Sequence, residues 1–512
     1  MRKIAKLSYI TFFFLICCFP LAFWSTHKTE TPVGNAPLAS MPAFINDNGK
    51  FNLNFTSEFS VYFSDHLPFR SVLVSADAWL KSNLFSANTG NVISGKDGFL
   101  FSNETINDYI GITASNRKIN NIAVTLMLLN NNAVENGNRF LFFAAPNKNS
   151  IYSMYMPNRY KRCQTSNIIM LYEKLEDYSV NYVDIKKQFD EIINNQNDNL
   201  LYHKRDSHWN NLGALYGFYE IAGKLNKTHK TYTNISYEYK KSWQGDLDQM
   251  LFPSFNLMDY QYKFDLNLSD FTILKPRTGR SDLETLSVLM GDEEKIDTLI
   301  QTRNNSASDS LYMLRDSFGR AMLPYLLDNY NKTAITRYAP MDLLSLTPSE
   351  PTDIIYEIAE RHLINIVDTA PLMYAPLSKE SFSYSVSPSD KNGIYFENTG
   401  AFLRIYGFLD ENYFEDSSRI FLTLTNKKQT LFFEAFPIFE EKKLSSNDQY
   451  FNEISPAASG GISNQENIAS SDYGFSLMLD IGISWESIFD VSITVTSADT
   501  NINTGRLGIL PL

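Results

Sequence analysis

Apolar and polar residues follow two different patterns along this chain. Between about residues 60 and 370, helical spacing predicts helices over Ser64–Phe85, Arg117–Asn136, Ile168–Tyr178 and Asn211–Lys224. Short unbroken apolar runs predict buried strands at Arg139–Ala145 and Ser310–Leu314, with a further strand at Val180–Ile185. The Asp-Gly pair in Gly95-Lys96-Asp97-Gly98-Phe99-Leu100-Phe101 predicts a hairpin turn. A helix is expected from Phe318 to Asn329, another over Asp353–Leu363, and a strand at Ile364–Val367. Strands that alternate with helices imply an α/β domain on a mostly parallel sheet. After about 375 the helical period disappears. Ile394–Phe396, Phe402–Tyr406, Ser418–Leu424, Thr430–Phe436, Phe475–Ile481 and Ile488–Val495 are short runs separated by Gly, Asn, Asp and Ser. They predict a β-sandwich over 375–512, with a long Ser/Asn/Gly-rich loop at 445–472.

The N-terminus sets the expected compartment. Arg2, Lys3 and Lys6 precede an uncharged apolar run, Leu7–Trp24, of 18 residues. As a helix this run is about 27 Å long, close to the hydrocarbon thickness of a bilayer. It ends Leu21-Ala22-Phe23-Trp24-Ser25, a poor cleavage site. Residues 1–26 are therefore read as an uncleaved signal anchor, with a cleaved signal peptide as the alternative. The basic flank keeps the N-terminus in the cytoplasm and places the remainder outside. Residues 27–90 form a polar stalk and an amphipathic lead-in.

Composition narrows the function classes. Lys+Arg is 45 against Asp+Glu 57, a net charge of −12. A nucleic-acid binder needs a basic footprint, so that class is excluded. The cysteines are Cys17, Cys18 and Cys163, with the first two inside the apolar run. This leaves no disulfide framework and no cysteine zinc site.

Two segments carry candidate chemistry. The first is Tyr202-His203-Lys204-Arg205-Asp206-Ser207-His208-Trp209-Asn210. Two positions apart, Asp206 and His208 share one side of an extended segment. A carboxylate so placed fixes an imidazole tautomer and stabilises its protonated form. Asn210 or Asn211 can cap the following helix. The second segment is Leu314-Arg315-Asp316-Ser317-Phe318-Gly319, in which an apolar strand runs into Ser317 and a helix is expected just after. That placement presents a hydroxyl at the edge of an α/β sheet, near helix N–H groups that can stabilise an oxyanion. Taken singly, Asp-x-His is most often a surface turn and such a serine a helix cap. Together the two segments supply a nucleophile, a base and an orienting acid. A metal site at His203, Asp206 and His208 lacks a further ligand, and no glycine-rich loop cradles a phosphate. No metal or cofactor is expected.

These residues resemble a family. Asp206-x-His208-Trp209 followed by Asp316-Ser317-Phe318 resembles the SGNH-hydrolase-like alginate O-acetyltransferase family of the AlgX/AlgJ type, and the related DHHW proteins of Gram-positive bacteria. Asp65-His66-Leu67-Pro68-Phe69-Arg70, Gly95–Phe101, Pro146-Asn147-Lys148 with Tyr152, Trp243-Gln244-Gly245-Asp246-Leu247 and Glu357-Ile358-Ala359-Glu360-Arg361 match in order. Phe99 stands where the family has Trp, and Arg315 where it has a small residue. The tail after 375 is not covered. The resemblance implies an SGNH-like domain over 91–374, a parallel sheet flanked by helices.

The resemblance also implies acyl transfer to a secreted glycan. It assigns Ser317 as nucleophile, His208 as base and then acid, and Asp206 as orienter. Asn147 and Lys148, at the end of the preceding strand, are candidates for oxyanion or substrate contacts, or simply solvated loop residues. The catalytic segments are expected outside the membrane, whereas acyl-CoA is cytoplasmic. A membrane partner that passes the acyl group across is therefore implied, and the resemblance suggests an MBOAT-type acyltransferase. Three alternatives stay open: a carbohydrate acetylesterase of the same fold, D-alanyl transfer to teichoic acids in the manner of DltD proteins, and a non-catalytic glycan-binding protein. For the last, Tyr395, Phe396, Tyr406, Phe408 and Trp485 form a possible sugar platform, with core packing as the plainer reading.

Overall fold

The computed structural model describes residues 38–511 except 46–48, 85–89, 196–198, 231, 233–235, 256, 270, 275–298, 338–339, 347–350, 399–401, 440–471, 481–487 and 499; of 1–37 it describes only residues 10, 11, 13, 14, 18 and 22–24. The expected signal anchor lies mostly outside the described residues. Among those described, no helix is long and apolar enough to cross a membrane.

Strands are numbered along the chain. β1 (Val92–Ser94) and β2 (Leu100–Ser102) close the expected Asp-Gly hairpin, with Asp97 at φ 52° and Gly98 at φ 80°. The central sheet uses β3 (Arg139–Ala145), β4 (Tyr182–Val183), β7 (Thr272–Leu274), β8 (Leu299–Arg303), β9 (Ser310–Leu314), β10 (Lys332–Thr336) and β11 (Asp353–Ala359). Its order is β4-β3-β11-β9-β10-β8-β7. The five strands from β4 to β10 are parallel, while β8 runs antiparallel to both β10 and β7. A separate hairpin arm is built from β5 (Tyr237–Gln244) and β6 (Met258–Phe264).

Both faces of the parallel sheet are covered, and the side-chain alternation shows it. Leu141, Phe143 and Ala145 enter one core with Trp209 and Phe318. Phe140, Phe142 and Ala144 enter the other with the helix Asn116–Glu135. A period of two on a continuous apolar run is what a strand buried on both faces requires. Each fully buried Phe contributes roughly 1.5–3 kcal/mol.

Asp353–Leu363 is not a helix. Asp353–Ala359 is a strand at the centre of the sheet, between β3 and β9, and Glu360–Val367 is a 3₁₀ helix. Val180–Ile185 contributes only the two-residue strand β4. Ser64–Phe85 is not one helix either. Helices Phe55–Asp65 and Arg70–Leu84 are separated at Leu67-Pro68-Phe69, where Phe69 has φ 61°. Proline disfavours the α conformation of the residue before it, which is where the break falls. After Ser317 the chain makes a 3₁₀ helix, Phe318–Met322, before the helix Leu323–Asn329.

Beyond residue 375 two sheets face each other. One carries β12 (Ser385–Val386), β15 (Arg419–Thr425), β16 (Thr430–Glu434), β19 (Ile488–Thr496), β20 (Asn501–Asn503) and β21 (Gly508–Pro511). The other carries β13 (Gly393–Asn398), β14 (Phe402–Phe408), β17 (Phe436–Ile438) and β18 (Gly474–Asp480). Ile405 and Leu477 from one sheet meet Leu422 and Ile493 from the other, making a sandwich core. The sandwich packs on the helix Asn116–Glu135. Arg117 donates to the Ser418 carbonyl, Asn121 Nδ2 donates to the Asp472 carbonyl (3.0 Å), and the Lys118 ammonium sits 3.3 Å from the Phe439 ring centre. Of the aromatics read as a sugar platform, Tyr395 and Phe396 are exposed, and Tyr395 stacks on Tyr406 at 5.5 Å. Trp485 lies outside the described residues.

Candidate active site

The parallel strands end on one edge of the sheet, and the candidate residues gather there. β9 delivers Ser317, β3 delivers Asn147 and Lys148, and β11 delivers Glu360 and Arg361. The segment that carries Asp206 and His208 is a loop pinned at its base. Tyr202 and Trp209 form a β-bridge, and Asn210 N–H donates to the Leu201 carbonyl (2.9 Å). Asn210 Oδ1 then caps the helix Asn211–Lys224, accepting from Leu212 and Gly213 N–H at 3.0 Å each. The Trp209 indole donates to the Phe318 carbonyl (2.9 Å) and ties this loop to the serine turn.

A continuous hydrogen-bond chain results. His208 Nδ1 lies 2.7 Å from Asp206 Oδ1, and His208 Nε2 lies 2.8 Å from Ser317 Oγ. An ionised carboxylate only accepts, so the chemistry of the partners assigns the proton to Nδ1. Nε2 is then free to accept from the serine hydroxyl. Burial disfavours charge on Asp206, but the charge and hydrogen bonds of His208 outweigh it and hold Asp206 well below the usual carboxylate range. Burial likewise opposes protonation of His208, yet the Asp206 charge and hydrogen bond raise it above an ordinary imidazole. Asp246 adds to this, and Arg361 opposes it.

Asp206 is gripped on both oxygens. Oδ1 also accepts His208 N–H (2.8 Å), while Oδ2 accepts the Trp243 indole N–H (2.8 Å) and Asp246 N–H (3.1 Å). Gly245 permits this approach: a Cβ there would stand 2.2 Å from the Arg205 carbonyl oxygen. The serine turn is held in a similar way. Asp316 accepts from Phe318 N–H (2.8 Å) and Ala359 N–H (2.7 Å), and Asp316 N–H donates to Glu357 Oε2 (2.8 Å). Burial and the Asp316 charge push Glu357 well above the usual carboxylate range. Gly319 lets Arg315 and Glu357 pack beneath the turn, since a Cβ there would meet each at 2.8 Å.

The remaining candidates fall in different places. Lys148 is 4% exposed, and its ammonium donates to the carbonyls of His203 (3.2 Å), Lys204 (3.0 Å) and Asp206 (2.5 Å). All three donors are thus spent inside the protein, which corrects the expectation of a substrate contact: Lys148 staples the Asp206 loop to β3. Asn147 N–H is taken by Glu360 Oε2 (2.6 Å), so this backbone group is not an open oxyanion donor. The first N–H after Ser317, that of Phe318, is likewise engaged by Asp316. His203 points away from the triad. Its Nδ1 bonds the Tyr260 carbonyl (2.9 Å), its Nε2 lies 3.3 Å from Gln261 Nε2, and its ring stacks on Trp243. Asp206, His208 and Asp246 do bring potential ligand atoms within 4.8 Å of one another, but Asp206 and His208 spend theirs on the chain to Ser317.

Burial lowers the Lys148 ammonium to about 8, against the opposing charges of Asp206, Asp246 and Asp259. Lys148→Met keeps the volume and orphans three carbonyls, each costing about 1–3 kcal/mol if left unpaired. Thermal melting should shift down by several degrees, and Ser317-dependent ester turnover should fall at least tenfold. Wild-type values in both measurements would remove the staple.

Trp243 and Asp246 are the positioning residues that motif reading did not assign. The Trp-x-Gly-Asp string is visible in the sequence, but its contact with Asp206 is made across 37 and 40 residues by the β5–β6 arm.

Fold and site together define an α/β domain with an Asp–His–Ser hydrogen-bond chain at one edge of its parallel sheet. Residues 92–273 match the sequence model of the family described as SGNH hydrolase-like domain, acetyltransferase AlgX. Over those residues the chain is similar to that family's SGNH hydrolase-like domain. The match includes Asp206 and His208 and ends before Ser317. No match is found among curated proteins. Similar solved structures include Bacillus cereus PatB1 (17% identity, 53% of this chain and 96% of that chain, TM-score 0.40). The O-acetyltransferase domain of Pseudomonas putida AlgJ is another (13%, 54% and 92%, 0.35), as is Pseudomonas aeruginosa AlgX (12%, 79% and 94%, 0.33). At these values the likenesses do not bear on function.

Proposed function

We propose that this protein is an extracytoplasmic O-acyltransferase that acetylates hydroxyl groups of a cell-surface or secreted polysaccharide. The observation that carries this reading is the Asp206–His208–Ser317 chain, at 2.7 and 2.8 Å, whose Asp206 and His208 fall in the segment that matches an acetyltransferase family. Ser317 Oγ attacks the donor carbonyl carbon while His208 Nε2 takes its proton. Collapse of the tetrahedral intermediate breaks the bond to the leaving group, which receives that proton and leaves acetyl-Ser317. A sugar hydroxyl then attacks the ester carbonyl, His208 takes its proton, and the restored serine is released protonated. Asp206 keeps its negative charge throughout and stabilises the imidazolium.

The basic flank and apolar run at residues 2–24 support an export route, with the protein held at the membrane by one N-terminal helix. The donor is then a membrane-bound acyltransferase of MBOAT type, since acyl-CoA stays in the cytoplasm. The test is trapping. After brief incubation with an aryl acetate and acid quench, mass analysis of peptides should find one acetyl group on Ser317. No adduct on Ser317, with turnover continuing, would sink the proposal.

A further inference from the structure

The helix Arg70–Leu84 is turned inside out relative to an ordinary surface helix. At about 100° per residue, Val72, Leu73, Ala76, Trp79 and Leu80 fall within an arc of about 120°. Such an apolar stripe normally faces the core. Here all five residues are exposed, the larger ones at 53% (Val72), 39% (Leu73), 55% (Trp79) and 44% (Leu80). The face that packs on the domain carries small residues instead. Ser75 and Ala78 are buried: Ser75 Oγ accepts Ser254 N–H (3.2 Å), and Ala78 joins Val92, Leu100, Leu247 and Leu251. The preceding helix, Phe55–Asp65, has no buried residue. An apolar stripe held outward by the packing of the opposite face calls for an apolar neighbour.

The chain itself points to that neighbour. The uncharged apolar run Leu7–Trp24 ends against these two helices. Phe23 meets the Phe69 ring edge-on at 5.5 Å, and Trp24 stacks on Phe63 at 5.1 Å. Phe69 is the residue just before the striped helix, and Phe63 lies in the helix before that. The apolar medium that suits the run therefore borders the stripe. A helix of 15 residues is about 22 Å long. Val, Leu and Trp on one face, with Arg70 and Asp77 on another arc, is the make-up of a helix lying in a bilayer interface. Trp24 and Trp79 suit the same level, where indole rings collect.

We propose that the outward stripe of the helix Arg70–Leu84 lies in the surface of a lipid bilayer, as a second membrane contact beside the N-terminal run. It takes from the proposed function only the membrane-held N-terminus. One helical anchor leaves a domain free to turn on its tether, whereas two contacts fix its orientation. The buried face of the striped helix packs on Leu247 and Leu251 of the helix Asp246–Leu251, and Asp246 N–H donates to Asp206 (3.1 Å). A bilayer under the stripe thus sets the height and tilt of the triad above the membrane.

The test uses the full chain with Cys17→Ala, Cys18→Ala and Cys163→Ser, one new cysteine carrying a nitrobenzoxadiazole fluorophore, reconstituted into vesicles of phosphatidylethanolamine and phosphatidylglycerol. Leu73→Cys and Leu80→Cys report on the stripe, and Val134→Cys, exposed on the helix Asn116–Glu135, reports on water. Lipid nitroxides just below the headgroups should quench the labels at 73 and 80 about twofold or more and leave the label at 134 unchanged. Adding Val72→Asp/Ala76→Asp to the Leu80→Cys protein should abolish that quenching, while wild-type hydrolysis of an aryl acetate shows that the domain is folded. Vesicle-bound protein whose labels at 73 and 80 are quenched no more than that at 134 would overturn the contact and leave a membrane protein as the occupant. Label self-quenching that grows with protein density, without quenching by lipid, would overturn it in favour of a second copy of this chain. A chain that stays out of the vesicle fraction altogether would overturn both this contact and the N-terminal anchor.

Discussion

Ser317→Ala abolishes acetyl-ester turnover: the expected loss is on the order of 10⁴-fold or more. His208→Ala falls comparably, because without the imidazole the hydroxyl keeps its proton during attack. Asp206→Asn loses on the order of 10⁴-fold, since an amide no longer fixes the Nδ1–H tautomer or stabilises the imidazolium. The double variant Ser317→Ala/His208→Ala should be no worse than either single one, because the residues act as a unit. The pH profile carries a second expectation. His208 must be neutral to accept the serine proton, and its pKa is raised by Asp206 after burial has worked the other way. Activity should therefore climb with pH and level off at an apparent pKa above about 6.5, the free imidazole value. Whatever activity Asp206→Asn retains should show that limb moved to lower pH, because the charge that raised it is gone. Initial rates with an aryl acetate between pH 5 and 9 decide the point. A fully active Ser317→Ala variant would falsify the assignment.

Much of this site was legible in the sequence because its parts are local. Asp206 and His208 are two residues apart, and the bond between them needs only an extended segment. Ser317 is 109 residues further on, and no spacing rule joins it to His208. What pointed to it was the apolar strand ending one step before Arg315, together with the family resemblance. β3 and β9 were legible as unbroken apolar runs, and the helix Asn211–Lys224 as a periodic one. β11 was not. Ile354, Ile358 and Leu363 fall close to helical spacing, because a buried strand runs straight into a 3₁₀ helix with its own apolar stripe. Periodicity cannot separate a short buried strand from a helix; parallel pairing with β3 and β9 decides it. Lys148 shows another limit. From sequence, a lysine after a strand reads as a ligand-binding cation. Its actual partners are three backbone carbonyls of a distant loop, which carry no sequence signature.

Transfer and hydrolysis share their first step and differ in what attacks acetyl-Ser317. With an aryl acetate alone, the protein should show a rapid first turnover and then slow release of acetate, since water is a poor substitute for a bound hydroxyl. A matched oligosaccharide should divert most of the acetyl group into a sugar ester, leaving free acetate a minor product. Adding acceptor should also raise total turnover, because deacylation is the step it accelerates. The experiment follows free acetate and acetylated sugar together, by mass spectrometry, over a panel of charged and neutral oligosaccharides. If no acceptor captures acetyl, and an acetylated glycan is hydrolysed faster than the aryl ester, the protein is an esterase. In that case the same Ser317, His208 and Asp206 serve water as the second nucleophile.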